Sequence, residues 1–187
     1  RGNHEARPQD VPGMTVVYDQ RGDGDVYMEM DYPNIRYFMD YGIYTLDGYS
    51  AAVIGGAYSV DKWWRLRRAG IRDEHDPDYE NPKKSGWFWN EQLTLDEMNQ
   101  AATMFKGKEF DFVLTHTCPC SWMPTDMFLS TVDQSTVDKS MEIWMDYVRE
   151  SFDWHVWCFG HFHADRLERP HVEMYYNDIE SLEDIHI

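Results

Sequence analysis

The chain has 187 residues, 42% hydrophobic and 16% aromatic, which is enough apolar material for the core of one folded domain. Its formal net charge of −17 excludes bulk nucleic acid as an expected partner, because a duplex-binding surface must replace counterions with Lys and Arg. No apolar run reaches membrane-spanning length and no secretory signal opens the chain, so no membrane partner is expected; three cysteines make no disulfide framework, which points to a reducing, cytoplasmic setting.

The chain opens with Gly2-Asn3-His4-Glu5, which groups a neutral oxygen ligand, an imidazole and a carboxylate. An Asn carbonyl can ligate a metal without adding charge, and a neighbouring His can donate a proton. Taken alone, four such residues at a chain end read more readily as incidental. Residues 6–25 are rich in Gly, Pro and Asp and read as a loop. Short β-branched and aromatic runs then predict strands over 26–30, 35–38, 43–46 and 49–54. Asp47-Gly48 between the last two predicts a type I′ hairpin turn.

Residues 59–70 suggest a short basic helix carrying Lys62, Arg65, Arg67 and Arg68. One of these, with Arg65 as the candidate, could reach an anionic substrate; a solvated face paired with nearby acids is the favoured alternative. Residues 71–92 read as a long polar loop. Its acidic run at 73–78 lacks the spacing of a calcium loop, and Trp87-Phe88-Trp89 is expected to fold back as a lid or rim. Thr94 with Glu97 fits a capping box and opens a helix over 94–105. A buried strand over 110–114 leads to Thr115-His116-Thr117. A loop with Cys118 and Cys120 precedes a second helix over 135–150, with Val137, Met141, Trp144, Met145 and Val148 on one stripe.

The strand 154–159 ends in Gly160-His161-Phe162-His163. The spacing of two is expected to aim both imidazoles to one side, and Gly160 lets the backbone bend just before them. One more strand over 171–176 precedes an acidic tail. Alternating helices and strands imply an α/β layer whose ligands lie beyond the carboxyl ends of the strands.

Taken together, G-N-H-E, L-T-H-T and G-H-F-H, with the intervening G-G-A-Y-S-V-D-K-W-W-R, resemble the bacterial and phage members of the calcineurin-like metallophosphoesterases. The resemblance spans almost the whole chain. It implies an α/β fold of two packed mixed sheets flanked by helices, in one domain over 1–187. It also implies hydrolysis of a phosphorylated substrate at a pair of divalent metals, Mn, Fe, Zn or Ni. On that resemblance Asn3, His116 and His161 would ligate the second metal, His163 would reach the first, and His4 would protonate the leaving group. Phosphoprotein, nucleotide and dinucleoside polyphosphate members share these motifs, so the substrate is not specified, and neither is the oligomeric state.

The family pattern also places D-x-H and G-D-x-x-D ahead of G-N-H-E, where they supply the first metal's Asp and His and the bridging Asp. Only Arg1 and Gly2 precede Asn3 here. Asp184-Ile185-His186 has the D-x-H spacing but neither a strand before it nor a glycine after it, and reads as coincidence. The chain is therefore expected to be the C-terminal portion of such a domain. Its first sheet would be incomplete, its metal content one ion or none, and its activity weak or absent. The alternative is a truncated or degenerate module that binds a partner or a single metal without turnover.

Overall fold

A computed structural model describes residues 1–128, 130–182 and 184–185; His186 of the C-terminal D-x-H spacing lies outside them. The described residues form mixed α/β structure with two sheets. Strands β1 (Met14–Asp19), β2 (Gly24–Glu29) and β3 (Tyr37–Phe38) make a three-stranded sheet. Its pairings are all antiparallel, not mixed as expected. The larger sheet holds β4 (Tyr41–Leu46), β5 (Tyr49–Ile54), β6 (Glu109–Thr115), β7 (Asp153–Phe159), β8 (Arg166–Arg169) and β9 (Val172–Met174), in the order β4-β5-β6-β7-β9-β8. Strands β5, β6, β7 and β9 run parallel, and β4 and β8 close the edges antiparallel.

Parallel strands are covered on both faces and so read as continuous apolar runs. One face of the large sheet, with Ala52, Ile54, Val113, Trp157 and Phe159, packs on helices α3 (Leu95–Phe105) and α4 (Ser140–Val148). On the other face, Val53 meets Val26 and Tyr44, which joins the small sheet to the large one. Ala51, Phe112, Val156 and Cys158 on that face are covered in part by Leu182 and Ile185 of the tail. The outcome is a layer of helices, the large sheet, and a third layer of small sheet and tail.

The hairpin at Asp47-Gly48 forms as expected, with φ of 52° and 91° at its two central residues. The capping box at Thr94 and Glu97 is complete. Several boundaries differ from the sequence reading. Residues 14–19, expected in a loop, form β1, because Val17 pairs with Val26 and turns into the core while Val16 and Tyr18 face outward. Strand β8 was not foreseen, since its alternation of Arg and Glu with one Leu carries no apolar signal. The basic helix α1 spans only Lys62–Arg68, and a one-turn helix α2 (Pro82–Ser85) interrupts the long loop. Helix α4 begins at Ser140 rather than 135; Asp133 and Asp138 each accept a hydrogen bond from the backbone two residues on, which competes with helix. The Trp87-Phe88-Trp89 triplet divides, with Trp87 buried and Trp89 exposed.

The parallel strands place β5, β6 and β7 so that their carboxyl ends open at one edge. Gly55-Gly56 follows β5 there, and the Gly56 N–H donates to the Arg1 carbonyl at 2.8 Å. Gly56 has φ of +93°, and a Cβ at this position would lie inside contact distance of the Glu91 carbonyl oxygen. Gly56→Ala is therefore expected to destabilise the chain by at least about 2 kcal/mol in urea unfolding, from backbone strain and displacement of Glu91 together. An unchanged midpoint would show that the 1–3 and 90–92 segments do not depend on this approach.

Candidate metal and phosphate site

The three motifs meet at the carboxyl edge of β5, β6 and β7. His116 follows β6, its N–H donating to the Ile54 carbonyl at 3.2 Å, and its own carbonyl accepts from Gly160 at 3.0 Å. Those bonds tie the ends of β5, β6 and β7 together around one imidazole. Asn3 is carried in by the opening segment, and its Oδ1 lies 2.9 Å from His116 Nε2. The rings of His116 and His161 sit edge to face, 5.2 Å between centroids. His163 stacks on Tyr176 at 4.8 Å and 25°. The backbone at these two histidines is not extended: His161 has φ of 71° and His163 of 58°, both left-handed, and the Phe162 N–H donates to the Gly160 carbonyl at 2.9 Å. Asp165 then anchors the turn, accepting from the N–H groups of Tyr176, Asn177 and Asp178.

The orientation of Asn3 is set by a buried chain of donors. Glu91, 2% exposed, accepts from the Ser59 N–H at 2.9 Å and from the Ser59 hydroxyl at 2.5 Å. With its proton committed to Glu91, the Ser59 oxygen accepts from the Asn3 amide nitrogen at 2.9 Å. That leaves Oδ1 as the Asn3 atom facing His116. Ser59 lies inside the G-G-A-Y-S segment, but its partner Glu91 sits in a polar loop and has no sequence signal.

Burial drives His116 down to about 3 and His161 down to about 4, with neighbouring positive charge adding to the effect, so both are neutral imidazoles near pH 7. His4 is also lowered, first by desolvation and then by Arg65 and His163. Neutral imidazole is the form that ligates metal. The Asn3–His116 contact at 2.9 Å is a hydrogen bond in which His116 Nε2–H donates to Asn3 Oδ1. Imidazole nitrogens and an amide oxygen are donor types that borderline divalent ions take. Among the described residues no group of three or more His, Cys, Asp or Glu side chains is arranged to hold a metal ion. Two further D-x-H spacings, Asp73-Glu74-His75 and Asp153-Trp154-His155, lie in the polar loop and at the opposite end of β7.

Asn3, His4, His161 and His163 form part of the wall of a cleft of about 400 Å³. His116, bonded to Asn3, is not part of that wall. Arg65 is also outside it, its guanidinium bonded to Asp61 at 2.7 Å and to the Gly86 carbonyl at 3.0 Å. The rest of the cleft is apolar except for Tyr58, Asp61, Gln134 and Glu142. Glu142, 3% exposed, was missed although it is the one acid beside Met141 and Met145 on the buried stripe of α4. Burial raises its carboxyl to about 7. All three cysteines are thiols, and burial pushes Cys118 and Cys158 above their ordinary range.

A carboxyl raised on folding stabilises the folded chain fully below its ordinary pKa, and that stability is lost as pH rises through the folded value. The move from 4.5 to about 7 corresponds to about 3 kcal/mol. The stability of the chain relative to Glu142→Gln is therefore expected to fall by about 3 kcal/mol between pH 4.5 and 8 in urea unfolding of the two proteins. Parallel pH profiles for the two proteins would show that Glu142 ionises without cost.

Comparison of the chain with models of protein families, with curated proteins and with solved structures finds no match.

Proposed function

We propose that this chain carries part of the site of a metal-dependent phosphoesterase of the calcineurin-like kind, most simply a phosphatase. The observation that carries the reading is the 2.9 Å pairing of Asn3 Oδ1 with His116 Nε2, with His161 beside it, at the carboxyl ends of parallel strands. Asn3, His116 and His161 would hold one divalent ion, Mn, Fe, Zn or Ni, and His163 would face a neighbouring position. Such an ion supplies Lewis acidity to a phosphoryl oxygen and a lowered pKa to the attacking water. Ser59 and Glu91 fix the amide of Asn3 so that its oxygen is presented. Burial keeps His116 and His161 neutral, and His116 would exchange its Nε2–H bond to Asn3 for the ion. His4, on the cleft wall, would hold the proton that passes to the leaving-group oxygen. The apolar remainder of the cleft excludes water and receives the leaving group. Three free thiols suit a reducing, cytoplasmic setting, and among the described residues no helix is long and apolar enough to cross a membrane.

A second reading is favoured by one observation: among the described residues no three His, Cys, Asp or Glu side chains are grouped as a metal ion requires. On it the chain is a phosphoesterase-like module that binds one ion or a partner without turnover.

Mn²⁺ calorimetry on residues 1–187 is expected to show at most one weak site. Asn3→Ala should abolish it, and Ser59→Ala should weaken it by about 10- to 100-fold, as loss of a ligand's supporting bond does. Two tight sites on this chain would overturn the assignment of its ligands. Hydrolysis of p-nitrophenyl phosphate is expected to be slight for residues 1–187 and to become Mn²⁺-dependent when D-x-H and G-D-x-x-D segments are joined ahead of them. In that active form His4→Ala should lower kcat more than KM, since proton donation acts in the transition state. Strong turnover by residues 1–187 alone, lost in His161→Ala, would show that other groups complete the site.

A further inference from the structure

The cleft beside the histidines contains a feature that phosphate chemistry does not use. Glu142 of α4 borders the cleft together with Met123, Met127, Phe128 and Phe162. Its Oε1 accepts from the Thr117 hydroxyl at 3.0 Å, whereas its buried Oε2 has no hydrogen-bond partner. An unsatisfied buried carboxyl oxygen is costly and calls for a partner, a water, an ion or a ligand group. No Lys or Arg among the described residues forms an ion pair with it; the nearby Lys139 ammonium instead lies over the Phe128 ring, 5.8 Å from its centroid. The surrounding aromatic rings and thioethers suit an apolar body, and their polarisable faces tolerate a cation. Asp61 in the same cleft is paired with Arg65, so Glu142 is the acid there without a cationic partner, and the chain as a whole carries −17. A cavity of about 400 Å³ accommodates a ring-sized group.

The geometry points to a specificity subsite in which Glu142 Oε2 accepts an N–H bond from a protonated amine borne on an apolar or aromatic body. This rests on the phosphoesterase reading only for the further statement that this body is the leaving group of the phosphate ester. The substrate class is then an amine-bearing apolar phosphate ester, with its phosphoryl group at Asn3 and His161 and its ammonium at Glu142. Burial holds Glu142 near neutrality when the cleft is empty, and an entering cation favours its ionised form. Discrimination then comes from pairing one buried charge, which a neutral ligand of equal size cannot do.

The test is binding at about pH 8, where Glu142 is ionised, using chain labelled at its methionine methyls. Benzylamine and its neutral isostere benzyl alcohol are titrated separately. Benzylamine is expected to shift the Met123 and Met127 methyl resonances and to bind roughly tenfold more tightly than benzyl alcohol. Glu142→Gln should abolish that preference while leaving benzyl alcohol binding unchanged, and Glu142→Leu should favour the alcohol. Equal affinities in the unaltered chain, shifts at other methionines only, or a preference that survives in Glu142→Gln would each overturn the subsite. Hydrolysis of phenyl phosphate by the form carrying both upstream segments is read separately. No turnover with the amine preference intact removes the phosphoesterase reading and leaves the amine subsite; turnover with no amine preference does the reverse.

Discussion

The carboxylate of Glu91 is the constraint on which the rest of the site depends. It is buried, its side chain holds both the N–H and the hydroxyl of Ser59, and its backbone carbonyl accepts from the Arg1 guanidinium at 3.1 Å. Desolvation raises its pKa, and the Ser59 bonds oppose that rise. Through Ser59 it dictates which atom of Asn3 faces His116. Through its main chain it fits against Gly56 and helps seat Arg1, whose guanidinium also meets Asp40 at 2.6 Å. Arg7 adds a further tie, with Glu97 and Asp40 as its partners. The opening segment is thus fastened to the ends of the parallel strands by buried polar contacts, not by apolar packing. Such contacts fix geometry well and tolerate substitution poorly, because removing one partner strands the other.

Much of the architecture was legible where local chemistry and burial agree. The Asp47-Gly48 turn and the Thr94–Glu97 box are set by residues within four positions of each other, and both form as read. Strands β5, β6 and β7 are buried on both faces, so their apolar runs stand out. Strands β1 and β8 were illegible because they pair at margins: outward Val16 and Tyr18 look like loop residues amid Gly, Pro and Asp, and β8 alternates charges. The end of α4 nearest Ser140 was misplaced because Asp133 and Asp138 satisfy backbone donors locally, which a stripe of apolar positions does not reveal.

The site divides in the same way. Asn3, His116, His161 and His163 could be named from short motifs at strand ends, and they lie together at one edge. Arg65 could be named only for its charge, and that charge is spent on Asp61 and Gly86. Glu91 and Glu142 carry as much of the geometry as the histidines, yet each is a lone acid whose meaning comes from burial. A single acid on a buried stripe is the one such signal that a sequence can show, and Glu142 beside Met141 and Met145 shows it.

The left-handed backbone at His161 and His163 sets stability against the proposed role of these residues. A residue with a Cβ costs about 1–2 kcal/mol in that conformation, and glycine occupies it freely. Engineering guided by thermal tolerance alone would therefore choose glycine at both positions and gain robustness. The product would keep its sheets and lose the imidazoles, a sturdier scaffold with a blank edge. Any effort to harden this chain for use at high temperature has to exempt those two residues and look for its gains in the exposed loops.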